Sequence, residues 1–267
     1  MRWQIGSLVL KIPEPLRSLR NLPLLGNVIH YLSHRLLPAD AYVCTRIESG
    51  PATGLWLYLN PRTGVQYLHG GGEQAVQQAL VEILEPGMVF YDIGANIGFF
   101  SLLAARLVGA TGKVFSFEPD PQNAIRLRQN IERNGFANVT VVESGVWWKS
   151  GPLRFVPANE TSPDHGVGKF DSFGTGGIWI PCVALDDFVQ SAPIPGAIKC
   201  DVEGAEIEVF HGGKMLLSNN HPVVVCETHS SNIDAHLKYD FAMLGYDTEI
   251  LDGNHFVAKP QIVTHHE

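Results

Sequence analysis

Short apolar runs and amphipathic stretches alternate along the chain from residue 88 onward. Runs rich in β-branched and aromatic residues predict strands at 88–91, 113–117, 139–142, 197–200 and 223–226. Apolar positions at helical spacing predict helices at 97–108, 121–134, 205–210 and 233–244. Strands that alternate with helices pair in parallel, because each helix carries the chain back across the sheet. The predicted fold class is therefore α/β, with a mostly parallel sheet covered on both faces.

Turn residues mark where several of these elements begin and end. Asp120, followed by a proline, is a typical helix N-cap, and Gly135 ends the same helix. Residues 42–59 and 246–259 alternate around glycine-containing turns, and each stretch predicts a hairpin. A further helix is predicted at 73–84, between the first hairpin and the main strand–helix series.

The stretch from 148 to 181 departs from this alternation. It is rich in Gly, Ser, Asp and Pro, and we expect a long loop there. Its position between the third and fourth strands places it beside the expected ligand pocket, where it would serve as a substrate lid or form a mobile insertion. The polar residues that would form a lid are Asn159, Glu160, Thr161, Asp164, His165 and Asp171.

Composition narrows the class of function. The chain has 267 residues and a net charge of −8, which argues against broad binding to a nucleic-acid backbone. Its four cysteines lack C-x-x-C spacing, and Cys200 and Cys226 lie in apolar runs, so we expect these two to be reduced core residues and the protein to be cytoplasmic. No apolar run is long enough to predict a membrane span. Residues 1–38 are basic and amphipathic, which fits a packing arm or a peripheral membrane or protein contact.

The most informative motif is D-x-G-x-N-x-G at residues 92–98, between the first predicted strand of the sheet and its helix. A glycine turn in this place lets a nucleotide cofactor approach the backbone closely. An NAD-dependent dehydrogenase would carry G-x-G-x-x-G instead. An acid at the strand end suits a cationic sulfonium, and the spacing resembles motif I of the class I S-adenosylmethionine-dependent methyltransferases.

The ends of the following strands carry further polar candidates. Glu118 ends the second strand, 24 residues after Gly94, where an acid could bind both ribose hydroxyls. Ser144 follows the third strand and is a candidate for adenine contact. Such residues meet at one edge of a parallel sheet.

The fourth and fifth strands end in K-C-D-V-E-G-A-E (199–206) and E-T-H (227–229). Lys199, Asp201 and Glu203 alternate, and a buried lysine needs an acidic partner, for which Asp201 and Glu227 are candidates. His229 at the next strand end could serve as a general base or as a structural histidine. Glu206, at the start of a helix, fits a capping role better than catalysis.

Together these motifs resemble the FkbM-type family of S-adenosylmethionine-dependent methyltransferases, most of which methylate hydroxyl groups. The matching pieces extend across residues 43–230 and also include G-G-E (71–73), P-G-M-V-F-Y (86–91), F-E-P (117–119) and L-D-D-F (185–188). The resemblance implies the class I methyltransferase fold, a seven-stranded sheet whose last strand is antiparallel. It also implies a cofactor site formed by Asp92, Gly94, Asn96, Gly98 and Glu118, with Glu73 as a weaker addition.

On this basis we expect an O-methyltransferase that acts on a sugar, glycoconjugate or other small molecule by in-line displacement. Asp201 also lies where the transferred methyl group is expected. Asp201 or His229 would take the hydroxyl proton, with Glu227 and Lys199 fixing the geometry. A divalent ion held by Asp201, Glu203 or Glu227 is an alternative, although no dedicated metal spacing is present.

Two other functions stay open at this point, a non-catalytic cofactor-binding or partner module and an NAD-dependent dehydrogenase. The chain is expected to divide into an N-terminal extension (1–40), a hairpin and helix (41–85) and the methyltransferase domain (86–260).

Overall fold

A computed structural model describes residues 42–61, 64–157, 168–170 and 176–261 of the chain. The N-terminal extension and the six candidate lid residues lie outside these ranges. The strands are β1 (Val43–Arg46), β2 (Trp56–Leu59), β3 (Val89–Ile93), β4 (Lys113–Phe117), β5 (Val139–Val142), β6 (Gly145–Val146), β7 (Gly151–Val156), β8 (Lys169–Phe170), β9 (Ile178–Val183), β10 (Ala197–Cys200), β11 (Val223–Glu227), β12 (Tyr246–Ile250) and β13 (His255–Pro260). The helices are α1 (Val65–Leu68), α2 (Gln74–Ile83), α3 (Phe99–Val108), α4 (Pro121–Asn134), α5 (Leu185–Phe188), α6 (Glu206–His211), α7 (Lys214–Asn220) and α8 (Ser231–Met243).

The main sheet has seven strands in the order β12-β13-β11-β10-β3-β4-β5. All pairs between β11 and β5 are parallel, whereas β13 is antiparallel to both β11 and β12. The predicted α/β sheet with its last strand antiparallel is therefore confirmed. The chain passes from the β3–β4–β5 side to the β10–β11 side, so the sheet has a topological switch point between β3 and β10.

The apolar core lies on both faces of this sheet, because the side chains of a strand alternate between faces. Phe90 packs in one cluster with α2 and α3, and its neighbour Tyr91 packs in the other with α6 and α8. Cys200 and Cys226 are paired on adjacent strands, both buried, and all four cysteines are free. In the part of the chain that the structure describes, no helix is both long and apolar enough to cross a bilayer.

The N-terminal hairpin of β1 and β2 forms as predicted and docks on the main sheet through α4. Two asparagines one turn apart on α4 form hydrogen bonds with the backbone of β2, as a neighbouring strand would. Asn134 accepts from Trp56 N and donates to Trp56 O, both at 2.8 Å, and Asn130 Oδ1 accepts from Tyr58 N at 2.6 Å. Asn130 is fully buried and donates to Ile97 O at 2.8 Å. The hairpin is thereby fixed to the helix that follows β4.

The expectation of a long loop at 148–181 is partly wrong, because β7, β8 and β9 join β6 in a second, four-stranded sheet. Leu153, Phe155 and Ile180 form its apolar side with Cys182 and Phe170. The sequence does not predict these strands, because they are short, contain Pro152 and Pro181, and pair with residues far along the chain. This second sheet is fixed beside the carboxyl edge of the main sheet, because Ser144 Oγ donates to the Pro181 carbonyl at 3.0 Å.

We predict that Asn130→Ala lowers the free energy of unfolding by about 1–3 kcal/mol, since it leaves the partly buried Tyr58 amide and Ile97 carbonyl without partners. Urea unfolding would measure this change. Gln122→Ala, at an exposed position of the same helix, is the control and should change stability by less than about 0.5 kcal/mol. Equal stabilities of Asn130→Ala and the wild type would show that the docking of the hairpin does not depend on this side chain.

Candidate active site

A cleft opens at the switch point, along the carboxyl ends of β3, β4 and β10. The cleft is lined by six of the residues predicted for the site: Gly94, Asn96, Glu118, Ser144, Asp201 and Glu203. The second sheet closes one side with Phe155 and Phe170. The cleft therefore joins an apolar wall to a set of polar and acidic groups, as ligand sites typically do.

The turn after β3 requires its glycine for two reasons. Gly94 has φ +77°, a conformation that side chains rarely adopt. A Cβ at this position would also lie 1.8 Å from the carbonyl oxygen of Asp201. The loops that follow β3 and β10 thus touch at the switch point, and Asp201 N donates to Ile93 O at 3.1 Å. This contact places Asp201 beside the glycine turn.

Asn96 and Gly98, the last two named residues of the motif, differ from Gly94 in their roles. Asn96 has φ +50° and lines the cleft, and its side chain accepts from the Ile97 amide at 2.7 Å. Gly98 has φ +93°, and a Cβ there would lie 2.3 Å from the side chain of Leu127. Gly98 serves the packing of α3 against α4 and does not line the cleft. Its direct contact with a cofactor stays a prediction.

Glu118 lies on the cleft and is 5% exposed. Its two carboxylate oxygens accept from the backbone amides of Asn96 and Asp120, at 2.7 and 2.8 Å. Burial raises the pKa of Glu118 to about 8, although these two hydrogen bonds act in the opposite direction and the Asp120 carboxylate adds to the rise. A buried carboxyl group at this place has free lone pairs for further hydrogen-bond donors.

Lys199 is the buried cation of the central strand, at 3% exposed. Its Nζ lies 3.2 Å from Asp201 Oδ2 and 3.8 Å from Asp92 Oδ1. Of the two partners predicted for it, the structure selects Asp201, and Asp92 is the partner that the sequence did not reveal. Burial alone would lower the pKa of Lys199, but the two carboxylates outweigh burial and raise it.

Asp92 is fully buried within β3, where it accepts from Ser101 Oγ at 2.5 Å. It does not line the cleft, so its predicted contact with a cofactor stays a prediction, and its observed partners are Ser101 and Lys199. Burial raises the pKa of Asp92, and the neighbouring Lys199 and Ser101 counteract this rise.

Burial also opposes ionisation of Asp201, but Lys199 and His229 outweigh it and hold the pKa of Asp201 below its ordinary value. Asp201 is therefore ionised beside Lys199.

His229 lies among four acids at the ends of β10 and β11, of which Glu227 Oε1 is 3.8 Å from His229 Nε2. Its Nδ1 is 2.7 Å from Glu206 Oε1, and its Nε2 is 3.2 Å from Glu203 Oε2 and 3.9 Å from Asp201 Oδ1. Glu206 is fully buried and also accepts from the amide of Gly204 at 2.9 Å. Because Gly204 precedes α6, this contact fixes Glu206 beside His229, and the helix-capping role expected for Glu206 stays a prediction.

The carboxylates around His229 change what this residue can do. Hydrogen bonds that the His229 ring donates to Glu203 and Glu206 raise the pKa of His229 to about 10, against the effect of burial. The expected titration near neutral pH is therefore wrong. At pH 7 the ring is an imidazolium that donates to its neighbours, and it does not line the cleft.

Sequence reasoning missed one histidine of this region. His255 begins β13, the reversed strand, so its side chain reaches the same sheet edge as the carboxyl ends of the parallel strands. It lies 3.5 Å from Glu227 and 3.6 Å from Glu73, which Tyr67 in turn contacts at 2.7 Å. The predicted hairpin was the only available signal, since its first residue after the turn had to lie at this edge.

A family model described as the methyltransferase FkbM domain matches residues 92–248, more than half of the chain. The hexuronic acid methyltransferase AglP of Haloferax volcanii is 33% identical over 156 residues, which cover 58% of this chain and 62% of AglP. The 2-O-methyltransferase NoeI of Sinorhizobium fredii is 32% identical over 164 residues, 54% of this chain and 65% of NoeI. The chain thus spans slightly less than two thirds of each relative. A crystal structure of methyltransferase FkbM from Methylobacillus flagellatus KT aligns with a TM-score of 0.48 and 17% identity over 88% of this chain and 59% of that chain.

We predict that Lys199→Met lowers the free energy of unfolding by about 3–5 kcal/mol, because it leaves the buried carboxylate of Asp92 and the partly buried carboxylate of Asp201 without their cation. The double variant Lys199→Met/Asp92→Asn should recover part of this loss, since it removes one of the uncompensated charges. Urea unfolding of both variants and of Asp92→Asn would complete a double-mutant cycle. Additive effects in that cycle would contradict an interaction between Lys199 and Asp92.

Proposed function

The chain belongs to the FkbM methyltransferase family, and on that premise we propose that it transfers a methyl group from S-adenosyl-L-methionine to a hydroxyl group of a sugar or another hydroxylated small molecule. The observation that carries this proposal is the meeting of Glu118 and Asp201 in one cleft beside the Gly94 turn. Glu118 can accept hydrogen bonds from ribose hydroxyls, and Asp201 carries the negative charge of an ionised general base.

The residues of the cleft fit S-adenosylmethionine by the chemistry of their donor and acceptor groups. Glu118 would accept from the ribose hydroxyls, since a carboxylate has about four acceptor positions and its partners, two backbone amides and the Asn123 side chain, do not occupy all of them. Ser144, on the cleft wall, would border the adenine. The acids along the edge suit a sulfonium cation, because opposite charge favours its binding. When bound, the cofactor supplies an electrophilic methyl group.

Asp201 is the group that we assign to the acceptor. An alcohol is a weak nucleophile, so a base that takes its proton accelerates the transfer. Asp201 lines the cleft and carries an ionised carboxylate, whereas His229 lies outside the cleft with its proton. We infer that Asp201 accepts the hydroxyl proton, and that Lys199 and His229 hold its carboxylate in place.

The choice of a sugar acceptor is supported by what the relatives are called. AglP is named as a hexuronic acid methyltransferase and NoeI as a 2-O-methyltransferase. We propose a hydroxyl of a hexuronic acid or of another monosaccharide unit as the methyl acceptor. Incubation with S-adenosylmethionine and a panel of hexuronic acids and neutral hexoses, free and as glycosides, would test this by formation of S-adenosylhomocysteine. Binding of the cofactor without turnover on any member would contradict the sugar assignment.

We predict that the affinity for S-adenosylmethionine rises by up to about tenfold per pH unit between pH 6 and 8 and then levels off. In the free protein, Glu118 keeps its proton up to a pKa of about 8. Ribose hydroxyls favour the ionised form, so binding lowers this pKa and releases the proton. Calorimetry in buffers that differ in ionisation enthalpy would measure the proton release.

The control for this prediction is Glu118→Gln, which has no carboxyl group to titrate. At pH 8 it should bind the cofactor about tenfold or more weakly, because an amide cannot accept from both backbone amides. Any pH dependence that remains in the variant belongs to the ligand or to other groups. The same pH profile in both proteins would contradict a role of Glu118 in binding.

We predict that Asp201→Asn lowers kcat by about 10²- to 10⁴-fold, the usual contribution of a general base. Its affinity for S-adenosylmethionine should change by less than about threefold by calorimetry, because Asn keeps the shape of the side chain. Glu249→Gln, an exposed position on β12, is the matched control and should retain wild-type turnover. Wild-type kcat in Asp201→Asn would remove this residue from the mechanism.

A further inference from the structure

Three side chains from distant parts of the chain converge at the carboxyl edge of the main sheet, outside the cleft. Glu73 precedes α2, Glu227 ends β11 and His255 begins β13. One atom of each, Glu73 Oε2, Glu227 Oε2 and His255 Nε2, lies within 4.8 Å of the other two. We call these three residues the EEH cluster.

The other polar atom of each side chain in the EEH cluster is held by a hydrogen bond. Asp252 Oδ1 lies 2.7 Å from His255 Nδ1, Tyr67 OH donates to Glu73 Oε1 at 2.7 Å, and Asn254 Nδ2 donates to Glu227 Oε1 at 2.6 Å. Carboxylate and hydroxyl groups hold the ligands of metal sites in this manner, and an acid on the far nitrogen of a histidine fixes its tautomer. All three remaining atoms therefore face one another.

Two of these facing atoms are buried and unsatisfied. His255 is 6% exposed, and among the residues that the structure describes, neither its Nε2 nor Glu73 Oε2 has a hydrogen-bond partner. The separations of Nε2 from the two carboxylates, 3.5 and 3.6 Å, exceed the ~2.7–3.2 Å of N–H···O hydrogen bonds. They match the separation of roughly 3.4 Å between two ligands of a tetrahedral ion with bonds of about 2.1 Å.

We propose that the EEH cluster binds a divalent transition-metal ion through Glu73 Oε2, Glu227 Oε2 and His255 Nε2. One imidazole and two carboxylates suit Zn²⁺, Mn²⁺ or Fe²⁺ better than the oxygen-only sites of Ca²⁺ and Mg²⁺. Three protein ligands leave at least one position for water or another oxygen ligand. The site extends beyond the methyl transfer proposed above, and its binding is measurable without cofactor or acceptor.

The sequence concealed this site because its ligands share no local spacing. Most strands of the main sheet lie between Glu73 and Glu227 in the sequence. His255 reaches these two residues because β13 runs in the reverse direction. The metal alternative drawn from the sequence used Asp201, Glu203 and Glu227, of which the EEH cluster retains only Glu227.

The test is titration of the whole chain, freed of metal by a chelator, with MnCl₂ or ZnCl₂ alone. Calorimetry would follow both ions, and electron paramagnetic resonance would count free Mn²⁺. The structure predicts one saturable ion per chain. Glu73→Gln and His255→Asn should each weaken binding by at least about tenfold, since loss of even an outer contact has that effect. Circular dichroism of each variant would verify that it folds.

Two further variants make the result decisive. Asp252→Asn changes a half-exposed residue that orients the His255 ring and accepts from two amides of the β12–β13 turn, and it should weaken binding by about tenfold even if the buried variants fail to fold. His236→Asn is the matched control, because His236 belongs to a surface group with His211 and Asp240 that could also attract an ion. It should bind like the wild type.

The proposal is overturned by absence of saturable binding of either ion, which would leave a proton on His255 Nε2 between two carboxylates. Unchanged binding in folded Glu73→Gln and His255→Asn would also overturn it. So would loss of binding in His236→Asn, which would place the ion at the surface group. Loss in Glu203→Gln with retention in Glu73→Gln would place it beside His229 instead.

Discussion

The burial of one cation, Lys199, in the central strand is the constraint on which the rest of the site depends. A lysine in this position is tolerated only with acidic partners. The register of β3 against β10 supplies the first, because Asp92 is the residue paired with Lys199 across the two strands. The second, Asp201, follows two positions later, where the strand has ended. The centre of the Phe100 ring lies 5.0 Å from Nζ, which adds a cation–π contact to the two ion pairs. The strand pairing and the position of Asp201 are therefore coupled through a single charge.

Acidic residues outnumber cations at the carboxyl edge, and their arrangement separates tasks. Asp201 and Glu203 face the cleft, whereas Glu206 lies behind them and holds His229. The resulting imidazolium keeps the carboxylates at fixed positions without taking part in proton exchange near neutral pH. A region with this balance of charge favours cationic ligands, which fits both a sulfonium and a metal ion.

Elements outside the main sheet complete the site from two sides. The stretch that contains α1 and α2 contributes Tyr67 and Glu73 to the edge of the sheet. The second sheet contributes Phe155 and Phe170 to the cleft wall. The second sheet is tied to the main sheet by the hydrogen bond from Ser144 Oγ to the Pro181 carbonyl, and α2 packs through Val76 and Leu80 into the apolar core beside α3.

Local patterns in the sequence determined much of the fold. Strands β4, β5 and β10 have the predicted bounds, and the helix capped by Asp120 ends at Gly135 as predicted, because caps, glycine turns and apolar periodicity act within a few residues. The motif residues that line the cleft were found in the same way, since the ends of parallel strands meet at one edge. Only the tertiary structure revealed the second sheet, the partnership of Lys199 with Asp92, the protonated state of His229 and the position of His255. Each of these depends on groups that are distant in the chain, and contacts of that kind leave no periodicity or spacing from which they could be predicted.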